Sequence, residues 1–320
     1  MIGILGVGRW GQNHIKALAK LRVEGVIDDF IIIDVNKETL ENFSKKYNCA
    51  GYESMSEALK AEELDGLIIA TPTRLHYKHA KEALEQGLHV LVEKPIATTS
   101  EEALELINIA KENNRVLMTG FLLRYSPAVQ YIKDTLMKEP NYFGNILAIL
   151  AKRINPRQAR EYDVGVIKDL VIHDIDLVSY MFEATPRSAY AYTRKQESTF
   201  ETFATGFVEY ESTYDKLVLI FEASFLSPQK FRDWIILGVE KAAQLDLMEH
   251  KVKIYTRTDT LNPSIPTEAD VLYRQDRNFV EAIQGKAAPL VTGLDGYRAL
   301  KVCEALLQSA EKACTIRITF

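Results

Sequence analysis

The segment best suited to chemistry is Gly6-Val7-Gly8-Arg9-Trp10-Gly11, a GxGxxG run. It follows the apolar stretch Ile2–Gly6 and opens the helically periodic stretch Gly11–Leu21. That strand–turn–helix context turns a weak pattern into a dinucleotide site. The first glycine permits the tight turn, the second lets the backbone approach a pyrophosphate, and the third lets helix and strand pack closely. The helix N-terminus adds unpaired N–H groups and a partial positive charge for the phosphates. Arg9 and Trp10 lie within this loop. Asp34 ends the next apolar run, Phe30–Asp34, roughly twenty residues further on, where a carboxylate binds ribose hydroxyls and repels a 2′-phosphate. NAD is therefore expected over NADP, with Lys37 the nearby residue that would attract the extra phosphate.

Two further groups sit where ligands reach an open α/β sheet. Thr71 and Pro72 follow the run Gly66–Ala70, and Glu93-Lys94-Pro95 follows the run His89–Val92. An ammonium at a carboxyl strand end can hydrogen-bond a substrate hydroxyl and stabilise the alkoxide that develops as hydride leaves carbon. Asp169 and His173 are four apart, so they share one helix face. A neutral imidazole there can take a hydroxyl proton. The same pair also suits a buried polar contact, or a metal site completed by Asp176. His76 fits as a first-turn helix residue and is given no chemistry. The pair His76 and His79 lacks a neighbouring Cys or acid, so no metal is expected.

The elements that must position these groups alternate regularly over the first 120 residues. Helices are predicted over Gly11–Leu21, Glu38–Tyr47 and Leu75–Gln86, with Asn36 capping the second. Ser54 with Glu57 and Thr99 with Glu102 have capping-box spacing and mark two more helix starts. Arg115–Thr119 closes the set of strands. Continuous apolar strands between amphipathic helices predict a doubly wound parallel sheet, an NAD(P)-binding Rossmann domain over residues 1–120. Residues 121–320 read as an α+β substrate-binding and oligomerisation domain. Its helices are predicted at Pro127–Met137 and Val166–Met181, with a strand Ile146–Ile154 between them. A mainly antiparallel, open-faced sheet follows from Ala189–Arg194, Phe203–Tyr210, Lys216–Phe225, Trp234–Leu237, Gln244–Leu247 and Lys251–Thr256. Two helices, Asp276–Gln284 and Leu294–Lys312, and a last strand Thr315–Phe320 complete the reading.

Composition narrows the class. Of 320 residues, 47% are hydrophobic and 26% charged, with a formal net charge of −5. A mildly acidic chain argues against nucleic acid or an anionic membrane as partner. No apolar run spans a bilayer, and the first strand directly after Met1 leaves no room for a signal peptide. Cys49, Cys303 and Cys314 have neither disulfide nor zinc spacing, so reduced thiols and a cytoplasmic location are expected.

The order of GxGxxG, acidic strand end, Thr-Pro-Thr with a His, and Glu-Lys-Pro resembles the glucose–fructose oxidoreductase/inositol dehydrogenase/MocA family. Asp169-Leu170-Val171-Ile172-His173 and Gly293-Leu294-Asp295-Gly296-Tyr297-Arg298-Ala299 extend the likeness over nearly the whole chain. The resemblance implies that Lys94, Asp169 and His173 form the catalytic group, with Glu93 near the nicotinamide ribose and a cis bond before Pro95. Within the family, the segments from Arg153 to Arg157 and from Arg160 to Ile167 are most similar to UDP-N-acetylglucosamine 3-dehydrogenases, which oxidise the sugar 3-hydroxyl. Arg153, Arg157 and Arg160 would suit an anionic substrate such as a nucleotide diphosphate. Where those enzymes carry Glu-Arg-Phe-Asn-Pro, this chain has Leu123-Arg124-Tyr125-Ser126-Pro127, with Arg124 and Tyr125 in the expected substrate wall.

The expected activity is NAD-dependent oxidation of a secondary alcohol of a sugar or sugar nucleotide. Oxidoreduction of another polyol or small cyclic carbonyl compound is the alternative, as is a non-catalytic dinucleotide sensor. Leu217-Val218-Leu219-Ile220-Phe221 is apolar at odd and even positions alike, while two helices after Asp276 would cover one sheet face. The other face would leave a large apolar patch in water, which predicts a homodimer or homotetramer joined through the strands 189–256.

Overall fold

The computed structural model describes residues 1–156, 163–196, 198–212, 215–266 and 269–320, with the side chain of Asp215 excepted. The chain divides into two units, Met1–Leu122 with Asp270–Tyr297, and Leu123–Ala269 with Arg298–Phe320.

The first unit starts β1 (Ile2–Leu5), α1 (Gly11–Val23), β2 (Phe30–Ile33), α2 (Lys37–Tyr47), β3 (Gly51–Tyr52) and α3 (Met55–Ala61). It continues β4 (Gly66–Ile69), α4 (His76–Glu85), β5 (His89–Val92), α5 (Ser100–Glu112) and β6 (Leu117–Thr119). Every residue of β1, β2 and β4 is buried, as strands covered on both faces require. All pairings are parallel, in the order β3-β2-β1-β4-β5-β6. The order reverses between β1 and β4, which is where such sheets open a ligand crevice at their carboxyl ends. The expected caps form: Asn36 accepts from the N–H of Thr39, Ser54 from that of Glu57, and Thr99 with Glu102 makes a full capping box.

The second unit holds α6 (Pro127–Lys138), β7 (Ile146–Pro156), α7 (Ile172–Met181), β8 (Thr185–Arg194), β9 (Phe203–Ser212) and β10 (Asp215–Ser227). β11 (Phe231–Gly238), β12 (Ala242–Asp246), β13 (Lys251–Tyr255) and β14 (Thr260–Leu261) follow. The chain returns through α8 (Val271–Ile283) and α9 (Gly293–Lys312) to β15 (Ile316–Arg317). The nine-stranded sheet runs β14-β13-β12-β11-β7-β10-β9-β8-β15. It is antiparallel except where β7 and β10 pair in parallel, because the chain leaves β7 through α7, β8 and β9 before coming back beside it. One face is packed: Ile149, Ala151, Leu219, Phe221, Trp234 and Ile236 are all buried. No described helix is long and apolar enough to cross a membrane.

Grouped by contacts, α8 and the first turn of α9 fall with the first unit, although they lie far beyond the expected boundary at residue 120. Consequently α8 packs within the first unit. Its Phe279 and Val280 join Ile15 and Leu18 of α1 in the core beside the parallel sheet. The expected helix over Val166–Met181 is also interrupted, because Ile167–Val171 is a π turn leading into α7.

Candidate active site

The glycine loop sits between β1 and α1. Gly6 has φ +95°, and a Cβ there would meet the carbonyl of Ala70 at 2.9 Å. A Cβ on Gly11 would collide with the Gly6 carbonyl, whereas Gly8 faces open space. The first two glycines of the motif thus do different work, one shaping the turn and one leaving room for a ligand beside bare backbone. Asp34 braces the loop: its carboxylate accepts from the Val7 N–H at 2.6 Å and the Asn36 N–H at 2.9 Å. Lys37 is paired instead with Glu53 at 2.8 Å. These residues fit a dinucleotide that carries free ribose hydroxyls.

At the ends of β4 and β5, His76 is buried, with its two ring nitrogens 2.7 Å from the carbonyl oxygens of Thr71 and Pro95. It ties the loops after β4 and β5 together. The Lys94–Pro95 bond is cis, as the resemblance implied, and Lys94 is only partly buried. Glu93 is buried and is one member of an ionic trio absent from the sequence reading. His14 of α1 places Nε2 3.2 Å from Glu93 and Nδ1 2.9 Å from Asp276 of α8. Burial alone would depress the imidazole, but the two carboxylates outweigh it and raise it to about 10. Burial likewise pushes Asp276 up, while Glu93 is held low by His14, Trp10 and Lys94 against its own burial. The state that accounts for these directions is an imidazolium between two carboxylates.

In the second unit, the helical segment from Val166 to Met181 sorts its polar residues sharply. Asp174 and Asp176 are buried and committed: Asp174 accepts from Arg153 Nε at 2.7 and 2.8 Å, and Asp176 from Arg124 at 2.6 to 3.1 Å. Asp169 and His173 remain partly exposed between buried Ile167, Leu170, Val171 and Ile172. A π turn spans more residues than an α turn, so four-apart residues still lie within about one turn. The start of this segment is held by Glu201, whose carboxylate and carbonyl accept the N–H groups of Ile167 at 3.1 Å and Val166 at 3.0 Å. Burial raises the Glu201 carboxyl.

The substrate-wall expectation fares differently. Arg124 is 5% exposed and Tyr125 6%, and the Arg124 guanidinium is spent on Asp176 and stacked over Tyr180. That pair does not offer a substrate-facing cation, because the ion pair uses it within the fold. Asp176, needed for the metal reading of Asp169 and His173, is the other half of that ion pair. No cluster of three or more His, Cys, Asp or Glu suited to a metal occurs among the described residues. Arg153 lies on β7, while Arg157 and Arg160 lie outside the described residues. Arg232, opposite Arg153 on β11, carried no motif and was not anticipated.

Comparison with known proteins agrees with this layout. Residues 1–121 match the family model described as the Gfo/Idh/MocA oxidoreductase family, NAD-binding Rossmann fold. Residues 141–318 match the model of its C-terminal alpha/beta domain. UDP-N-acetylglucosamine 3-dehydrogenase of Acidithiobacillus ferrooxidans is 29% identical over 308 residues, 93% of each chain. A solved structure of that enzyme superposes with a TM-score of 0.86 at 27% identity, covering 97% of each chain. Glucose-6-phosphate 3-dehydrogenase of Bacillus subtilis is 32% identical over 195 residues, 57% of this chain and 54% of that one.

Proposed function

The chain belongs to the Gfo/Idh/MocA oxidoreductase family, and from that premise we propose that it oxidises a secondary alcohol of a sugar or sugar nucleotide to a ketone with NAD. The observation that carries this reading is the burial pattern of one helical segment, where Asp174 and Asp176 are buried in ion pairs while Asp169 and His173 are partly exposed. Bound NAD would supply the hydride acceptor. The loop from Gly6 to Gly11, Asp34, Thr71, Pro72 and Glu93 are the residues to hold it.

His173 takes the hydroxyl proton as the carbon–hydrogen bond breaks, and the carbonyl forms with the electrons of the O–H bond. Lys94 donates to the same oxygen and stabilises the charge that builds there. Asp169 orients His173 or Lys94. The reaction suits the 3-hydroxyl of a UDP-N-acetyl sugar, by likeness to the A. ferrooxidans enzyme. Three cysteines with no disulfide among them favour the cytoplasm.

A homo-oligomer is part of the proposal. On the unpacked face of the large sheet, Ile235, Leu150, Ile220, Phe207 and Tyr190 stand in register across β11, β7, β10, β9 and β8. Ile220 is 45% exposed and the row is otherwise half-buried. Pairing through this row would remove a continuous apolar stripe from water. Light scattering should give at least twice the 36.3 kDa of one chain, and a concentration-independent monomer would refute it. Screening UDP-N-acetylglucosamine, glucose 6-phosphate and myo-inositol for NAD reduction tests the activity. Tight NAD binding with no turnover of any sugar or polyol would favour a sensor instead.

A further inference from the structure

The first unit buries charge that packing alone does not require. His14 of α1 and Asp276 of α8 are fully buried, and Glu93, directly after β5, is 5% exposed. Both carboxylate oxygens of Asp276 lie near Nδ1 of His14, at 2.9 and 3.0 Å, while Glu93 Oε1 lies 3.2 Å from Nε2. An imidazole that faces a carboxylate at each nitrogen donates from both, and is therefore an imidazolium. Taking three charges out of water carries a large desolvation cost, and apolar side chains of similar volume often serve a core as well. Glu93 is the member of the trio through which such a device can act on a ligand. Its Oε2 accepts the backbone N–H of Lys94 at 3.2 Å, and the Trp10 side chain of the glycine loop also favours its charge. Gly120, directly after β6, packs so closely that a Cβ there would come within 2.8 Å of Oε1.

We infer that His14 and Asp276 are positioning residues for Lys94 and for the cofactor, acting through Glu93. This rests on the dehydrogenase reading above and adds to it a support buried behind the site. The charged groups facing the imidazole are Glu93 from the loop after β5 and Asp276 from α8, and Lys94 faces Glu93 in turn. With both carboxylates present the imidazole holds its proton up to about pH 10, so the support stays constant around neutrality. Without the charge of Asp276 the proton leaves at lower pH. A neutral His14 that keeps its proton on Nδ1 then turns the lone pair of Nε2 towards Glu93. The carboxylate is pushed away, and the backbone of Lys94 follows it. A displacement of about 1 Å at a reacting group can cost roughly 100-fold in rate.

The test is the ratio of Asp276→Asn to the unmodified enzyme, in kcat and in NADH affinity, at pH 7 and at pH 9. Both ratios should fall with rising pH, the first by about 10-fold or more, while KM for the sugar changes little. In the double variant His14→Gln with Asp276→Asn, an amide can donate to Glu93 at every pH and cannot titrate, so the pH dependence should vanish. A polar contact that serves the core alone would lower the melting temperature and leave both ratios independent of pH, which overturns the inference. The unmodified protein gives a second readout that needs no variant to fold. In ¹⁵N-histidine-labelled protein at pH 8, the two ring N–H signals of the buried imidazolium should be present and should shift when NADH binds. Signals that NADH leaves unmoved also overturn it. If NADH affinity follows the expected pH dependence yet no sugar or polyol is oxidised, the activity fails and the positioning role stands.

Discussion

Replacing His14 with glutamine should change how stability depends on pH. The imidazole is raised from about 6.5 to about 10 in the folded chain, so the native state binds a proton that the unfolded state releases first. Its contribution is therefore complete below about pH 6.5 and is lost as pH climbs towards 10. The limiting slope is about 1.4 kcal/mol per pH unit, or nearly 3 kcal/mol between pH 7 and 9. Burial of Asp276 offsets part of this, since its carboxyl is itself pushed up. The expected differential loss is about 2 kcal/mol over that interval. Urea unfolding at each pH gives the measurement, followed by Trp10 fluorescence in a Trp234→Phe background, because Trp10 and Trp234 lie in different units. Subtracting the His14→Gln profile from the parent profile cancels lysine and cysteine titrations common to both. At pH 6 the variant should also be less stable by roughly 3 kcal/mol, the cost of leaving buried charge unpaired. Parallel stability profiles for variant and parent between pH 7 and 9 would refute the ionic trio.

Three other perturbations follow from the same structure. Lys94→Ala should lower kcat by about 100-fold or more with NAD affinity nearly intact by fluorescence titration, in line with losing a donor aimed at developing charge. Asp34→Ala should narrow the preference for NAD over NADP; tighter NADP binding by the unmodified protein would show that the carboxylate does not set the choice. Gly165→Ala should destabilise the second unit by more than 1 kcal/mol and reduce activity, because a Cβ there would run into the Glu201 carboxyl that holds the start of the Asp169 helix. Circular dichroism melting compared with a solvent-exposed control, Gly8→Ala, would expose any error in that assignment.

The legible parts of the fold were those governed by local pattern. Runs such as Phe30–Ile33 and Gly66–Ile69 are apolar at every position, which only strands covered on both faces tolerate, and the caps at Asn36, Ser54 and Thr99 are set within four residues. The misplaced element, α8, is amphipathic; its pattern specifies that a face is buried but not against which sheet. Asp169, Asp174 and Asp176 look alike as aspartates on one helix. What separates them is that Arg153 and Arg124 arrive from β7 and from the 3-10 turn before α6, which no local spacing encodes. Arg232 was invisible for the same reason, since only the register of β11 on β7 brings it opposite Arg153. His14 had a signal, three residues beyond Gly11 on the inward face of α1, but its partner Asp276 lies 262 positions away.

Hydride transfer from a secondary alcohol carbon to NAD is open to test by isotope transfer. The enzyme would be incubated with NAD and UDP-N-acetylglucosamine or glucose 6-phosphate deuterated at C3, and the NADH analysed by mass spectrometry. Deuterium is expected in the NADH and a ketone at the labelled carbon, with both signals falling together in Lys94→Ala and His173→Ala. NADH formed without label, together with an unlabelled position oxidised, would contradict the assigned carbon. Label transfer undiminished in either variant would contradict the assigned residues.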